Sequence, residues 1–455
     1  MSRRDRLLQE GIRVVVLDDD PTGIQTVQGC LVLTDGSVEG LEAALRDREP
    51  YFYILTNSRA FQPEQVRPMI RELTLQILRA NRPLGHRIVF VCRSDSTLRS
   101  HFPLELDTIV RAAGLEPAAR FLVPAFFEGR RITDGDTHYI LQDGVRVPCH
   151  KTEFARDPVF GYATSFLPGY IEEKTRGQVP SRDVLSIPRA LLRTGTRRDL
   201  DRFLQGLARD RHVAVNAASY PELDRFSEAV LDRIVQGAEL LFQSAASLVK
   251  SLVGCPQAGL VPGGAHLRAG PGLILVGSHV ERTTRQLSAL LEAPGLEPIE
   301  IDPARLLAEE AGTFTAVRGR MDRADAAGLT PVVYTSRRLL RLPDRDAQLA
   351  AGQRISRFLS GLVAASASEP AFVIAKGGIT SHDVLVQGLG VQRARVWGQA
   401  APGVPVIRLP RDHRWAGAPF VIFPGNVGPD DALKEVYRAL SGPGTPTLKG
   451  DDEPS

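Results

Sequence analysis

The sequence predicts an α/β fold with two domains, each a mostly parallel sheet flanked by helices. Two observations support this prediction. Short runs rich in β-branched residues alternate with longer helical patterns, as they do in parallel sheets with crossover helices. A Gly- and Pro-rich linker at 256–271 separates two such series within a chain of 455 residues, which is too long for one ordinary core.

The predicted strands follow one another in two groups, and those of the first group end in polar residues. The first group consists of RVVVLD (13–18), YFYILTN (51–57), RIVFVCR (87–93) and ARFLVPA (119–125). The second group consists of GLILVGS (272–278), PVVYTS (331–336), AFVIAK (371–376), VPVIRL (404–409) and FVIFPG (420–425). We therefore place one domain at 1–255 and another at 272–444, followed by a Pro-, Gly- and acid-rich tail (445–455) that is expected to be disordered.

The composition favours an enzyme that acts on small molecules. The 56 Lys and Arg residues nearly balance the 53 Asp and Glu residues and are interleaved with them, so no basic tract indicates nucleic-acid or membrane binding. The sequence shows no signal peptide and no apolar run near the roughly 20 residues of a membrane helix. The four cysteines have neither zinc-ligand nor disulfide spacing. We expect a soluble, cytoplasmic protein.

Polar clusters follow the first four strands, at the edge where parallel sheets bind ligands. The clusters comprise Asp18, Asp19 and Asp20; Asn57, Ser58 and Arg59; Arg93, Asp95, Ser96, Thr97 and Arg99; and Glu128, Arg130 and Arg131. Guanidinium groups bind carboxylates as forks, while Asp and Asn side chains bind hydroxyl groups. The mixture therefore predicts a binding site for a polyhydroxylated acid.

Gly-rich turns follow the strands of the second group. They lie in VGSHVERTTRQ (276–286), AKGGITSHD (375–383) and FPGNVGPDDAL (423–433), and Lys376, one of only six lysines, stands before two glycines. Bare amides in such turns can approach phosphate oxygens, which suggests a nucleotide site. None of the turns matches GxxxxGK[ST] or GxGxxG, so spacing alone gives only a weak indication.

The opening acids also permit a second interpretation. Asp18-x-Asp20-x-Thr22 after an apolar strand matches the first motif of haloacid-dehalogenase-type phosphatases, in which Asp18 would be the nucleophile. The later motifs of that class would then have to be Lys376 and the acids within 428–433, in the other predicted domain. A third interpretation is a sensor that binds a sugar acid without catalysis.

Seven motifs together resemble the four-carbon acid sugar kinase family, in the family's order and over nearly the whole chain. They are DDDPTG (18–23), SDSTLRSHFPLE (94–105), VPAFFEGRRITDGDTHY (123–139), TEFARDPVFGY (152–162), AKGGITSHDV (375–384), GLGVQRARVWGQAAPGVPV (388–406) and FPGNVG (423–428). The resemblance implies ATP-dependent phosphorylation of the terminal hydroxyl of an acid such as D-threonate, D-erythronate or a 3-oxo-tetronate. It also implies an N-terminal sugar-acid domain, a C-terminal nucleotide domain, an active site in the cleft between them, and ATP with Mg²⁺ as cofactors.

The resemblance also implies roles for individual residues. The family's first motif falls on Asp19, Asp20, Thr22 and Gly23, and its second on residues 95–99, and both would bind substrate. The family's nucleotide positions fall on Ser278, Gly377, Gly378, Thr380 and Gly425, and Lys376, Ile379 and Asn426 lie in the same turns. Sugar acid and ATP are therefore the expected partners, and a homodimer is a candidate assembly because homo-oligomers are common.

The mechanism expected for such a kinase assigns the acids and arginines separate tasks. Asp20, or Asp19, would orient or deprotonate the terminal hydroxyl, and repulsion among the adjacent acids would raise the proton affinity of at least one. The side chains expected to hold the substrate carboxylate are those of Arg59, Arg93 and Arg99.

Three departures from the family's motifs lie in the predicted substrate domain. Ser100 replaces the usual glycine, FFEGRR (126–131) replaces F-P-E-x-G-R, and the first motif carries an additional acid and a proline. These departures bear on which acid is bound more than on the chemistry. Residues 152–162 are predicted to form either a lid or a dimer contact. The histidines near the motifs have no ligand spacing and are expected to hydrogen-bond or pack, not to bind metal; they are His101, His138, His279 and His382.

Overall fold

The structure, a computed structural model, describes residues 1–142, 144–207, 210–256, 259–261, 270–278, 280–337 and 345–442, with residues 345–349 as backbone only. His279, most of the predicted linker and the predicted tail lie outside these ranges. The chain divides into two compact units, Met1–Gln257 and Ala258–Ser455. Among the described residues, no helix is both long enough and apolar enough to cross a membrane.

The first unit alternates strands and helices. Its strands are β1 (Ile12–Asp18), β2 (Leu31–Leu33), β3 (Tyr51–Leu55), β4 (Arg87–Arg93), β5 (Ala119–Val123), β6 (Arg131–Asp134), β7 (Thr137–Gln142), β8 (Val145–Pro148), β9 (Leu185–Ile187), β10 (Arg211–Val215) and β11 (Leu240–Ser244). Its helices are α1 (Arg3–Gln9), α2 (Val38–Leu45), α3 (Pro63–Asn81), α4 (Leu104–Ala113), α5 (Leu167–Lys174), α6 (Arg189–Arg193), α7 (Arg197–Gln205), α8 (Tyr220–Val235) and α9 (Ala246–Val253).

The main sheet of the first unit has the strand order β2-β3-β1-β4-β11-β5-β10-β9, and each pair of neighbours runs parallel. Strand β1 is buried along its whole length, as strands covered on both faces are. Its last residue, Asp18, is in register with Leu55 of β3 and Arg93 of β4. The carboxyl ends of these three strands therefore lie side by side.

Two further features complete the first unit. Val66, Ile70, Leu73 and Ile77 recur at every third or fourth position of α3 and are buried in one apolar cluster with Ile109 of α4, so the two helices cover the sheet with amphipathic faces. Between β5 and α5 the chain forms a smaller antiparallel sheet with the order β6-β7-β8.

The second unit contains another mostly parallel sheet. Its strands are β12 (Leu273–Val276), β13 (Leu296–Ile301), β14 (Thr330–Thr335), β15 (Val373–Lys376), β16 (Arg393–Ala401), β17 (Val404–Arg408) and β18 (Pro419–Phe423). Its helices are α10 (Glu281–Leu291), α11 (Pro303–Ala308), α12 (Glu310–Ala326), α13 (Arg345–Ala364), α14 (Gly378–Asp383) and α15 (Ala432–Ser441). Strands β13, β14, β12, β15 and β18 pair in parallel in that order, and β17 pairs antiparallel with β18 and β16.

The predicted fold class is confirmed, and each of the nine predicted strands coincides with an observed one. Several predicted strands were too long, because their last residues belong to the loops that carry the polar clusters, as at residues 56–57, 124–125 and 277–278. The sequence analysis missed β2, β9, β10, β11, β13, β16 and the smaller antiparallel sheet. Strands β2 and β9 are only three residues long, and β13 lies at a sheet edge with exposed polar residues. Strand β11 lies fully buried between β4 and β5, so neither its length nor its position explains why it was missed.

Candidate functional site

Three carboxylates and two guanidinium groups meet at the carboxyl edge of the first unit. Arg93 Nη1 lies 3.3 Å from Asp18 Oδ1 and 3.5 Å from Asp19 Oδ1. Arg59 Nε lies 3.1 Å from Asp19 Oδ2, and the same guanidinium pairs with Asp20. Asp18 and Asp19 are buried, whereas 22% of the Asp20 side chain is exposed. The structure thus gathers these five predicted residues into one cluster, with Asp20 at its surface.

The three acids of this cluster differ in proton affinity. Burial raises the pKa of Asp18 well above its usual range although Arg93 opposes the shift, and burial raises the pKa of Asp19 to about 6 against the opposing charges of Arg59 and Arg93. Burial also favours the neutral form of Asp20, but the two arginines and the Thr22 amide outweigh it and lower the pKa. At neutral pH, Asp20 is thus the most firmly ionised carboxylate of the three.

The Asp18 carboxylate is covered by the turn that follows it. Residues Pro21–Ile24 form a 3₁₀ turn, and Asp20 caps it by accepting a hydrogen bond from the Thr22 amide at 2.8 Å. A Cβ atom placed on Gly23 would lie 2.0 Å from Asp18 Oδ2. A covered carboxyl with a raised pKa is a poor nucleophile, so the geometry argues against the phosphatase interpretation built on Asp18.

Gly23→Ala is expected to disturb the cluster. The added methyl group cannot coexist with the Asp18 carboxylate in its present position, so we expect the free energy of unfolding to fall by about 1–3 kcal/mol, as in overpacked cores. Urea denaturation measures this loss. Gly352→Ala is the matched control because nothing lies within 4 Å of a Cβ at that helical position. Equal stability of the two variants would contradict the close contact.

Some polar atoms of the cluster have unused hydrogen-bonding capacity. Asp18 Oδ2, both carboxylate oxygens of Asp19, and the Nε atoms of Arg59 and Arg93 are buried and have no hydrogen-bond partner among the described residues. The two Asp19 oxygens form ion pairs, with Arg59 Nε at 3.1 Å and Arg93 Nη1 at 3.5 Å, that do not have hydrogen-bond geometry. A polar ligand that reached this cluster would therefore find acceptors and donors still available.

The loop of residues 95–99, which follows β4, is tied together by its own side chains. Asp95 accepts hydrogen bonds from Thr97 Oγ1 and, at 2.7 Å, from Arg99 Nε. Burial favours protonation of Asp95, but Arg99 and Arg59 outweigh it and hold the pKa below its usual range. Ser96 is buried, whereas 24% of the Arg99 side chain is exposed, compared with 5% for Arg93. Arg99 is therefore better placed than Arg93 to meet a substrate carboxylate.

Glu105 is the last residue of the motif SDSTLRSHFPLE, and the sequence did not predict a role for it. Its Oε1 atom accepts a hydrogen bond from Ser58 Oγ at 2.7 Å, and the Ser58 carbonyl accepts one from His101 Nε2 at 3.0 Å. Burial, with a smaller contribution from the charge of Asp19, raises the pKa of Glu105 to about 7. These contacts hold the turn that carries Arg59, which begins at Asn57 in a left-handed conformation with φ of 49°.

The fourth polar cluster, in FFEGRR, lies beside two residues that the sequence analysis missed. Glu128 Oε1 accepts a hydrogen bond from the Tyr220 hydroxyl at 2.6 Å, and Lys250 Nζ lies 3.5 Å from it and 3.8 Å from the centre of the Tyr220 ring. Arg131 donates to the Gly129 carbonyl, and Arg130 takes a positive φ of 60°. The scarcity of lysine in the chain was the one sequence signal for Lys250.

In the second unit, the turns after β12, β15 and β18 pack closely together. A Cβ atom on Gly277 would lie 2.2 Å from Thr380 Oγ1, and one on Gly425 would lie 3.1 Å from Ser278 Oγ. Gly377 has a φ of 114°, which side chains rarely adopt, and its amide donates to the Phe423 carbonyl at 2.8 Å. The structure therefore brings the predicted nucleotide-binding turns to one edge of this sheet.

The other residues of these turns differ in their exposure and in their hydrogen bonds. Ile379 is 61% exposed, and Gly378 begins helix α14. The backbone carbonyl of Asn426 lies 3.5 Å from Arg282 Nη1. Thr283 Oγ1 is 3.2 Å from Ser278 Oγ and donates to the Gly425 carbonyl at 3.0 Å. Thr283 and Arg282 thus link two of the turns.

Lys376 lies beneath these turns with its side chain buried. Its Nζ donates to the Pro424 carbonyl and lies 4.1 Å from the centre of the Phe423 ring. Burial, with the nearby charge of Arg282, lowers the pKa of Lys376 to about 7. Lys376 therefore stabilises the turn after β18 through its hydrogen bond to the Pro424 carbonyl. Its amine is buried and is not exposed at the surface of the turns.

The three described histidines that lie near the motifs, His101, His138 and His382, make ordinary hydrogen bonds. His138 lies 2.8 Å from the Ser96 carbonyl and 2.9 Å from Thr133 Oγ1, and His382 Nδ1 lies 3.2 Å from Asp383 Oδ1. In the part of the chain that the structure describes, no three His, Cys, Asp or Glu side chains are grouped as metal ligands.

Comparisons with known proteins agree with the two-unit division. The family described as "Sugar-binding N-terminal domain" matches residues 14–252, and the one described as "Nucleotide-binding C-terminal domain" matches residues 273–433. The 3-oxo-tetronate kinase of Cupriavidus necator is 33% identical over 180 residues, which cover 38% of this chain and 39% of that relative. The alignment therefore spans well under half the length of the relative.

Two solved structures share the fold over almost the whole chain. A crystal structure from Salmonella typhimurium LT2 has a TM-score of 0.69 at 17% identity, covering 94% of this chain and 99% of that one. Haemophilus influenzae protein HI1011 has a TM-score of 0.63 at 18% identity, covering 93% and 98%. The domain matches, which occur in the order expected from the motifs, show that the chain belongs to the four-carbon acid sugar kinase family.

Proposed function

We propose that the protein is an ATP-dependent kinase that phosphorylates the terminal hydroxyl of a four-carbon sugar acid. The observation that carries the proposal is the cluster at the carboxyl edge of the sugar-binding unit, in which the partly exposed carboxylate of Asp20 stands beside Arg59. An ionised carboxylate at the surface can accept a hydrogen bond from a substrate hydroxyl. The name of the Cupriavidus necator relative makes 3-oxo-tetronates candidate substrates beside D-threonate and D-erythronate.

Asp20 is the carboxylate proposed to contact the hydroxyl. Phosphoryl transfer requires mainly alignment and charge stabilisation, so a carboxylate that orients the hydroxyl contributes even when its pKa is low. Asp19 is buried, whereas Asp20 is partly exposed, and both acids pair with Arg59. Asp19 therefore helps to hold the position of Arg59, and through Arg59 that of Asp20.

The nucleotide is proposed to bind the glycine turns of the second unit. Gly377 and Gly378 have no side chains that would block a phosphate group, although the Gly377 amide already donates to the Phe423 carbonyl. Ser278, Thr380, Gly425 and Asn426 lie in the same group of turns. Mg²⁺ would accompany the ATP phosphates, as it does in most kinases, where proteins supply only one or two carboxylates. Bound there, the ion would neutralise charge on the phosphates.

The direct test is ADP formation from Mg-ATP with a panel of four- and five-carbon aldonic acids and their 3-oxo forms. Acid-dependent ADP release from the full-length chain supports the kinase. ATP binding without ADP release for any acid, together with calorimetric binding of one of them, would indicate a sensor instead. Phosphate release from a phosphorylated acid without ATP would favour a phosphatase.

Arg99→Ala is expected to weaken binding of the acid selectively. Loss of a charge-assisted contact to the substrate carboxylate costs about 1.5–3 kcal/mol, or roughly 10- to 100-fold in KM for the acid, with KM for ATP unchanged. Steady-state kinetics with each substrate varied separately measures the effect. Arg146→Ala is the control, because Arg146 makes an exposed ion pair with Asp134 in the smaller sheet. An unchanged KM for the acid would place the carboxylate contact elsewhere.

A further inference from the structure

Three successive backbone carbonyls of the loop at 95–99 are each held by a buried side chain. His138 Nε2 lies 2.8 Å from the Ser96 carbonyl, the Tyr162 hydroxyl donates to the Thr97 carbonyl at 2.7 Å, and the Tyr170 hydroxyl donates to the Leu98 carbonyl at 2.8 Å. Because a carbonyl only accepts, His138 Nε2 must be the donor, and burial keeps this ring neutral by lowering its pKa to about 4.

The loop needs such support because its backbone is strained. Leu98 has a φ of 68°, in the left-handed region that residues other than glycine seldom occupy. Conformations of this kind persist only where the surroundings enforce them. The side chains proposed to bind the sugar acid, those of Asp95 and Arg99, lie on either side of this residue.

Residues 152–170, which we call the brace, also contact the side chains of the loop. Arg99 lies 4.9 Å above the Phe154 ring, and its Nη1 is 3.5 Å from Asp157 Oδ2. Together with the two tyrosine hydroxyls, these contacts place the brace against the loop within the same unit. The sequence predicted either a lid or a dimer contact for residues 152–162. These contacts indicate a third role, which is support of the loop at 95–99.

The brace is itself fixed by hydrogen bonds. The Tyr162 amide donates to the Ala155 carbonyl at 3.1 Å, and the Gly161 amide donates to the Asp157 carbonyl at 2.9 Å. Lys174 Nζ then donates to the Gly161 carbonyl at 2.6 Å. A segment that is internally bonded in this way can impose a conformation on the loop that it contacts.

We propose that Tyr162 and Tyr170 of the brace are positioning residues that hold the loop at 95–99 in the conformation that binds the sugar acid. The proposal rests on the proposed function, because it assigns the brace an effect on binding of the acid. It differs from a purely structural role in one respect: loss of a single hydroxyl should loosen this loop and weaken acid binding while leaving ATP binding intact.

The test compares Tyr162→Phe with the wild-type chain in two measurements. Loss of one buried hydrogen bond should raise KM for the acid about three- to tenfold at constant KM for ATP. Amide hydrogen exchange of the peptide spanning 94–102 should become faster. The matched control is Tyr437→Phe in the second unit, since Tyr437 is also 6% exposed and also donates to a backbone carbonyl, that of Pro294 at 3.0 Å.

The outcomes separate the brace from the proposed function. If the wild-type chain forms no ADP with any acid, the kinase assignment fails, and hydrogen exchange alone still tests the brace. If Tyr162→Phe leaves exchange at 94–102 and KM for the acid unchanged, or if Tyr437→Phe changes them equally, the brace proposal is wrong. Tyr170→Phe, which removes the donor to the next carbonyl, repeats the test if Tyr162→Phe fails to fold.

Discussion

Asp20→Asn is expected to lower kcat by about 10²- to 10⁴-fold, the usual contribution of a group that handles a proton or a hydroxyl in the transition state. Asn keeps the shape of the side chain but removes the charge that attracts the hydroxyl proton. Because Asp20 is the partly exposed acid of the cluster, the loss should appear in kcat more than in KM for ATP. Single-turnover measurement of ADP formation isolates the chemical step from product release.

Asp35→Asn is the matched control for this variant. Both acids accept a hydrogen bond from the amide two residues further on, Asp20 from Thr22 at 2.8 Å and Asp35 from Ser37 at 3.0 Å. The control therefore removes the charge from the same kind of turn-capping hydrogen bond without touching the cluster. If Asp20→Asn kept near wild-type turnover, or if Asp35→Asn lost as much, Asp20 would not be the residue that handles the hydroxyl.

The fold was predictable where local sequence and burial agree. The run VVVL within β1 is buried on both faces and reads as a strand without further information. Strand β13, LEPIEI, contains an exposed proline, a half-buried acid and an exposed acid, and its strand conformation is stabilised by parallel pairing with β14. Edge strands of this kind are determined by a neighbour that is distant in sequence, which periodicity cannot identify.

The site was predictable to the extent that parallel register determines it. Once β3 and β4 flank β1, Arg59 and Arg93 must approach the acids that follow β1. The direction of a long side chain is a different matter: Lys376 turns beneath its loop because the Pro424 carbonyl lies there. The support of Tyr162 for Thr97 joins residues 65 apart in sequence, and no spacing rule connects them.

The order of pKa values within the acidic cluster likewise depends on three-dimensional burial. Adjacent acids were expected to raise the proton affinity of at least one, but the sequence did not indicate which. Asp18 ends a buried strand, Asp19 lies between two arginines, and Asp20 reaches the surface. The charge of Asp19 therefore destabilises the folded chain, whereas the charge of Asp20 stabilises it. Variants of the two acids should differ in stability accordingly.

Asp19→Asn is expected to stabilise the protein at neutral pH while it lowers activity. The pKa of Asp19 is raised from 3.8 to about 6 in the folded chain, so ionisation costs the folded state more than the unfolded state. At 1.36 kcal/mol per pKa unit, the difference amounts to at most about 3 kcal/mol. The cost is absent below pH 3.8, grows as the pH rises through about 6 and is complete above it. Asn stays neutral and avoids this cost.

The contrast with Asp20 decides whether this reasoning holds. Because the pKa of Asp20 is lowered, its charge stabilises the folded chain above the ordinary pKa, and Asp20→Asn should be destabilising at neutral pH. Urea denaturation of both variants from pH 4.5 to 8 should give stability differences of opposite sign, with the gain from Asp19→Asn shrinking as the pH falls. Activity of Asp19→Asn should nevertheless fall, because Arg59 would then pair with Asp20 alone and draw that carboxylate away from the hydroxyl. If Asp19→Asn were less stable than the wild type at pH 7.5, Asp19 would serve mainly as a structural counter-ion of Arg59 and Arg93.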